Sequence, residues 1–194
     1  MSKHHFALTA VAAAASLFIA GEASALEPSS RDKPFYIEGA VPIGFDGGGF
    51  GYGVGCGRGG CFGGHWKPDL EIGFHFTGRH DGFVLGFRHV FYIGGTSGMG
   101  ALLRIGYDIP IPLKGGKYEI TIGPYGYVGG SFLGCNGCST EGAFQTGGGV
   151  EGKFFILKGF YVFARPLDFG VMYFPDFSNA YFQWMFGAGA GYAW

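Results

Sequence analysis

The stretch "FGAGAGYAW", residues 186–194, decides the fold. Its even positions carry Phe186, Ala188, Ala190, Tyr192 and Trp194, and its odd positions are mostly glycine. On an extended strand, successive side chains point to opposite faces, so this period of two makes one apolar face and one nearly bare face. Trp194 is the last residue given.

The same period recurs upstream. In "DLEIGFHF" (69–76), Leu70, Ile72, Phe74 and Phe76 oppose Asp69, Glu71, Gly73 and His75. In "ALLRIGYD" (101–108), Leu103, Ile105 and Tyr107 oppose Arg104, Gly106 and Asp108. Counting such segments gives eight, near 35–45, 68–77, 83–93, 99–109, 117–129, 143–156, 160–173 and 181–194. No helical period competes with them beyond the first residues. Eight antiparallel strands close on themselves and make the smallest common membrane barrel. The expected fold is all-β: an eight-stranded antiparallel up-and-down transmembrane β-barrel, in which 181–194 pairs with 35–45.

Composition supports an apolar surroundings. The 194 residues include 41 Gly and 19% aromatics, but only 14% are charged. A soluble domain usually carries about 25% charge. Net charge is −1 with no basic run, so nucleic acid is not an expected partner. No apolar stretch after residue 25 reads as a spanning helix, because the uncharged window 120–140 is broken by glycines and Pro124. In lipid, a closed barrel is then the way to satisfy the backbone.

Residues 1–25 read "MSKHHFALTAVAAAASLFIAGEASA". A short basic start, an apolar run and Ala23-Ser24-Ala25 make a secretory signal, with cleavage expected after Ala25. An N-terminal anchor is the alternative, but the apolar run is short for a span. The barrel domain is then 26–194. The connections alternate in length: Gly-rich 46–67 and 130–142 are long, whereas 78–81, 113–117 and 157–159 are short. Outer-membrane barrels have long external loops and short periplasmic turns.

With the apolar faces outward, the inward set is Glu38, Glu71, His75, Arg88, Arg104, Asp108, Glu119, Glu151, Lys153, Arg165 and Asp168. Such charges must pair across the lumen. Inward glycines at 73, 86, 106, 187, 189 and 191 would make room for the long ionic chains. The network is structural or forms an ion or proton path. Arg165 and Asp168 have opposite parity around Pro166, which calls for a β-bulge. Pro124 poses the same problem beside Tyr125 and Tyr127.

The chain resembles the eight-stranded outer-membrane barrels of Gram-negative bacteria, of the outer-membrane protein A and X type. The matching features are the signal, the eight alternating segments and the terminal strand. The resemblance implies a C-terminal assembly signal at Phe186, Tyr192 and Trp194, with Trp in place of the usual Phe. It also implies an outer-membrane location, a lipid bilayer of lipopolysaccharide and phospholipid as partner, and the barrel-assembly machinery. A monomer is expected, with an unknown extracellular ligand.

Two short cysteine pairs, Cys56/Cys61 and Cys135/Cys138, fall in the first and fifth connections. Exported chains meet an oxidising space, so disulfides are expected, either within each loop or between loops. A four-thiolate zinc site is the rival. No cofactor is expected. The expected role is structural or surface interaction through the Gly- and Cys-rich loops. A narrow, porin-like channel is the alternative. A lipid-modifying enzyme is less favoured, because no Ser stands beside a His with an orienting acid.

Overall fold

Extended segments with aromatic and aliphatic residues at every second position pair edge to edge until no edge is left. The computed structural model describes residues 32–50, 66–93, 96–113, 119–135, 140–156, 159–175 and 179–194. Its strands are β1 (Phe35–Ala40), β2 (Ile43–Phe50), β3 (Asp69–His75), β4 (Gly82–Tyr92), β5 (Thr96–Pro112), β6 (Glu119–Cys135), β7 (Glu141–Phe155), β8 (Phe160–Phe174) and β9 (Asn179–Ala193). Neighbours pair antiparallel in chain order from β3 to β9. β1 and β2 are two halves of one barrel strand, separated by Val41 and Pro42, and both pair with β9. β1 also pairs with β3, which closes an eight-stranded barrel.

The expected closing strand is in place. Glu38 stands opposite Gly191, and Ile43 opposite Phe186. Phe186, Ala188 and Trp194 are exposed on the outer face, while Gly191 and Ala193 are buried. Trp194 stacks on Phe35 at 6.3 Å between ring centroids.

β5 and β6 are 17 residues each, longer than expected. About 9–11 residues cross a bilayer. These strands therefore run beyond the apolar band. Consequently the expected alternation of loop lengths is corrected: β4 ends at Tyr92 and β5 begins at Thr96, β6 ends at Cys135 and β7 begins at Glu141. Residues given to loops by their glycines are absorbed into ladders, since strand pairing outweighs weak local propensity. Only the interval between β2 and β3 stays long.

The two prolines behave differently. At Pro166 the register shifts between Arg165 and Asp168, Pro166 and Leu167 both face outward, and both charged residues turn inward. At Pro124 there is no bulge. The β5–β6 ladder lapses opposite Pro124 and resumes unchanged, from Gly106↔Tyr125 to Ile109↔Ile122. Pro124 faces outward, so parity is already satisfied and no extra residue is needed.

Inward glycines serve rings as much as charges. A Cβ on Gly73 would strike the Tyr36 ring and come within 2.6 Å of the Leu85 carbonyl oxygen. One on Gly191 would come within 2.7 Å of the Tyr161 ring, and one on Gly189 within 2.6 Å of Phe163. A Cβ on Gly152 would meet nothing within 4 Å. Gly73→Val should therefore lower stability by about 1–3 kcal/mol through overpacking, while Gly152→Ala stays within about 0.5 kcal/mol. Urea titration of the refolded protein in one detergent checks the pair.

Candidate functional site: an ionic lumen

Alternation brings the polar face of every strand to one axis. All eleven predicted lumen residues are buried there. Arg104 is central. Its Nη1 donates to Glu38 Oε1 at 3.1 Å and Glu71 Oε1 at 2.8 Å, and its Nη2 donates to Glu151 Oε1 at 2.9 Å. Arg165 donates from Nε to Glu151 Oε2 at 2.7 Å, from Nη2 to Glu38 Oε1 at 2.6 Å, and from Nη1 to Asp69 Oδ2 at 2.8 Å. Arg88 donates from Nε to Glu71 Oε2 at 2.8 Å and faces Asp168 at 3.6 Å. Lys153 Nζ reaches Asp108 Oδ2 at 2.9 Å and Glu151 Oε1 at 3.3 Å. Glu119 is buried at the start of β6, towards the Trp194 end.

Register explains how long side chains reach the axis. Arg104 is opposite Gly86 and Arg165 opposite Gly187, so each has an empty neighbour to pass over. Glu71 is cross-strand from Arg88. Glu38 and Glu71 are also directly opposite, a like-charge pair that only the shared Arg104 and Arg165 make tolerable.

Two aromatic layers close over this middle. Towards the Trp194 end lie Tyr36, Val84, Phe155, Tyr161 and Phe163. Their hydroxyls join the network: Tyr36 donates to Glu71 Oε1 at 2.6 Å and Tyr161 to Glu38 Oε2 at 2.9 Å. Towards the other end lie Tyr92, Leu102, Tyr125, Tyr127, Met172 and Phe174. The Arg104 guanidinium lies 4.4 Å from the Tyr125 ring centroid, and Arg165 lies 4.7 Å from that of Phe163. Gln145 donates to Tyr92 and Ser131 above them. A cavity of about 10 Å³ beside Lys67, Asp69, Arg88, Tyr127 and Asp168 has room for one water.

Several lumen residues escaped the sequence reading. Asp69 sits on the polar face of its strand and holds Arg165. Lys67, just before β3, is buried and lies 5.0 Å from the Tyr92 ring centroid. His80 belongs to the turn between β3 and β4, yet is buried beneath Tyr36, Phe155 and Tyr161. Turn residues follow no period, so only three dimensions reveal that His80 folds back inside. Burial holds its imidazole well below the ordinary histidine range, so it is neutral.

Of the residues expected to carry an assembly signal, Phe186 and Trp194 are exposed and Tyr192 is half-exposed, all on the outer face. Cys135 is the last residue of β6. Cys56, Cys61 and Cys138 lie outside the described residues, as do residues 1–31. The disulfides, the zinc rival and the signal peptide therefore fall largely there.

Neither a family model nor a curated protein matches the chain. Solved structures do. Neisserial surface protein A superposes with a TM-score of 0.53 at 10% identity, over 82% of this chain and 97% of that one. The N-terminal β-barrel domain of Pseudomonas aeruginosa OprF matches with a TM-score of 0.45 at 14% identity, over 82% and 97%. Ail, the attachment invasion locus protein of Yersinia pestis, matches at 0.36 and 12% identity, over 84% and 99%. The fold is thus that of the eight-stranded outer-membrane barrels.

Arg104→Gln would remove one of the two guanidinium groups that Glu38, Glu71 and Glu151 share, leaving Arg165. Removing one partner of a buried network costs about 3–5 kcal/mol. Adding Glu71→Gln should restore part of the loss. A double-mutant cycle from urea midpoints checks this, and strict additivity would contradict the coupling.

Proposed function

We propose that the chain is an integral outer-membrane barrel of a Gram-negative bacterium, delivered by the signal peptide at residues 1–25. Both termini would be periplasmic, and its role would be scaffolding and surface interaction through the external loops. One observation carries this reading. Among the described side chains of β1 and β3–β9, every Asp, Glu, Lys and Arg is buried in the lumen except half-buried Glu141, while the outer face is apolar apart from His89, Ser97 and Thr146. Leu70, Ile72, Phe87, Leu103, Ile105 and Val128 make a contiguous outward band across β3–β6. In water that band would drive aggregation; in lipid it is the favoured surface.

Aromatic residues border the band, as at a membrane–water interface. Phe35, Phe83, Tyr107 and Trp194 are exposed at one edge, and Phe91, Tyr173, Phe182 and Trp184 at the other. The bilayer and the barrel-assembly machinery are the proposed partners, with Phe186, Tyr192 and Trp194 as the recognised strand end. A surface ligand would meet the loops that carry the cysteines. The scaffold reading is preferred to the narrow channel because the ionic middle lies between two aromatic layers and adjoins a void of one-water size.

Closed barrels resist SDS, so unheated and boiled samples should migrate differently on a gel; identical migration would sink the proposal. Ile105→Arg, in the outward band, should cost about 2–4 kcal/mol in lipid vesicles. Planar bilayers should stay silent, whereas regular conductance steps altered by Arg88 or Arg104 replacement would favour the channel.

A further inference from the structure

At the Trp194 end of the lumen, below the arginine network, three potential metal ligands converge. His75 ends β3, His80 lies on the following turn, and Asp108 comes from β5. Each offers a ligand atom, and these atoms lie within 4.8 Å of one another. All three residues are buried. Ligands around a tetrahedral zinc ion stand roughly 3.3 Å apart, so small side-chain rotations bring this set to bonding geometry.

The hydrogen bonding marks the site as unfinished. Neither ring nitrogen of His80 has a hydrogen-bond partner, although His80 is 1% exposed, and Asp108 Oδ1 is unpartnered too. A buried polar atom without a partner costs about 1–3 kcal/mol. The rings of His75 and His80 are only 4.1 Å apart between centroids. His75 Nδ1 lies 3.3 Å from the Pro34 carbonyl oxygen, the contact that fixes the tautomer of many metal-binding histidines. His75 Nε2 meets Asp108 Oδ2 at 3.0 Å, beside the Lys153 ammonium on the same oxygen. Lys153 does not exclude an ion. It holds Asp108 through Oδ2 and has Glu151 as a further partner, while Asp108 Oδ1 makes no hydrogen bond.

Charge gives an independent argument. The buried, described side chains include seven carboxylates (Glu38, Asp69, Glu71, Asp108, Glu119, Glu151, Asp168) and five Lys or Arg (Lys67, Arg88, Arg104, Lys153, Arg165). Carboxylates therefore outnumber Lys and Arg by two among the buried, described side chains, a surplus of acceptors that favours a cation.

We propose that His75, His80 and Asp108 bind one divalent transition-metal ion of the zinc type, which pins the β3–β4 turn across the Trp194 end of the barrel. Two imidazoles and one carboxylate suit zinc, not calcium or magnesium, which take oxygen ligands. A water would complete the tetrahedron.

The test uses the refolded barrel in detergent micelles, washed with chelator and titrated with Zn²⁺ alone. The expected result is one tight equivalent in the wild type, retained when Cys56, Cys61, Cys135 and Cys138 are all replaced by Ser. His80→Phe keeps a ring in the aromatic box, and a heat-modifiable gel band would show that it folds. It should bind Zn²⁺ at least 100-fold more weakly. Unchanged affinity in folded His80→Phe, or loss of zinc in the cysteine-free protein, would overturn the proposal. The wild type supplies a second readout that needs no variant. The imidazole ¹⁵N resonances of His75 and His80 should shift on adding one equivalent of Zn²⁺; resonances that stay in place would overturn the site.

Discussion

The guanidinium of Arg104, shared by Glu38, Glu71 and Glu151, is the interaction on which the barrel's interior depends. A charge facing hydrocarbon is costly, so the Asp, Glu, Lys and Arg side chains of a spanning strand must turn inward. Once inside, it meets a space only wide enough to be filled by side chains. There it must be paired and hydrogen-bonded. Pairing at this density works because cations and anions are shared. Arg165 serves Glu38, Asp69 and Glu151 at once, and Tyr36 and Tyr161 occupy carboxylate lone pairs that no cation takes.

Other features follow from that demand. Gly86 and Gly187 are bare because the arginines beside them must cross the lumen. The bulge at Pro166 and Leu167 exists because Arg165 and Asp168, three residues apart, could not otherwise both face in. The gap between β1 and β2 places Pro42, which has no N–H to offer, outside either ladder.

Much of this was legible in the sequence because lipid enforces a strict rule. Parity alone places Glu38, Glu71, Arg88, Arg104, Asp108, Glu151 and Lys153 inside, since the alternative would put charge in hydrocarbon. Parity fails where the chain leaves the ladder. His80 in a turn and Lys67 ahead of β3 carry no periodic signal, and both fold into the lumen. Strand ends were also hidden. Thr96, Ser97, Gly130 and Gly134 look like loop, but pairing with neighbours extends β5 and β6 over them. Pro124 shows the opposite limit. A proline on the outward parity needs only a missed hydrogen bond, whereas Pro166 sits where parity itself must change.

Buried ion pairs are weak contributors to net stability, because desolvation offsets most of their attraction. Their value here is register. A strand that slips by two residues keeps its apolar side chains outward, and lipid scarcely distinguishes one such register from another. The lumen does. Moving β4 by two places against β3 would set Glu71 opposite Gly86 or Val90 in place of Arg88, leaving a carboxylate and a guanidinium both unmatched at low dielectric. The outer face therefore selects which residues point outward, and the ionic interior selects which strand positions meet. A barrel that must close on its own first strand needs both, because one wrong register propagates around the sheet to the seam where β9 meets β1 and β2.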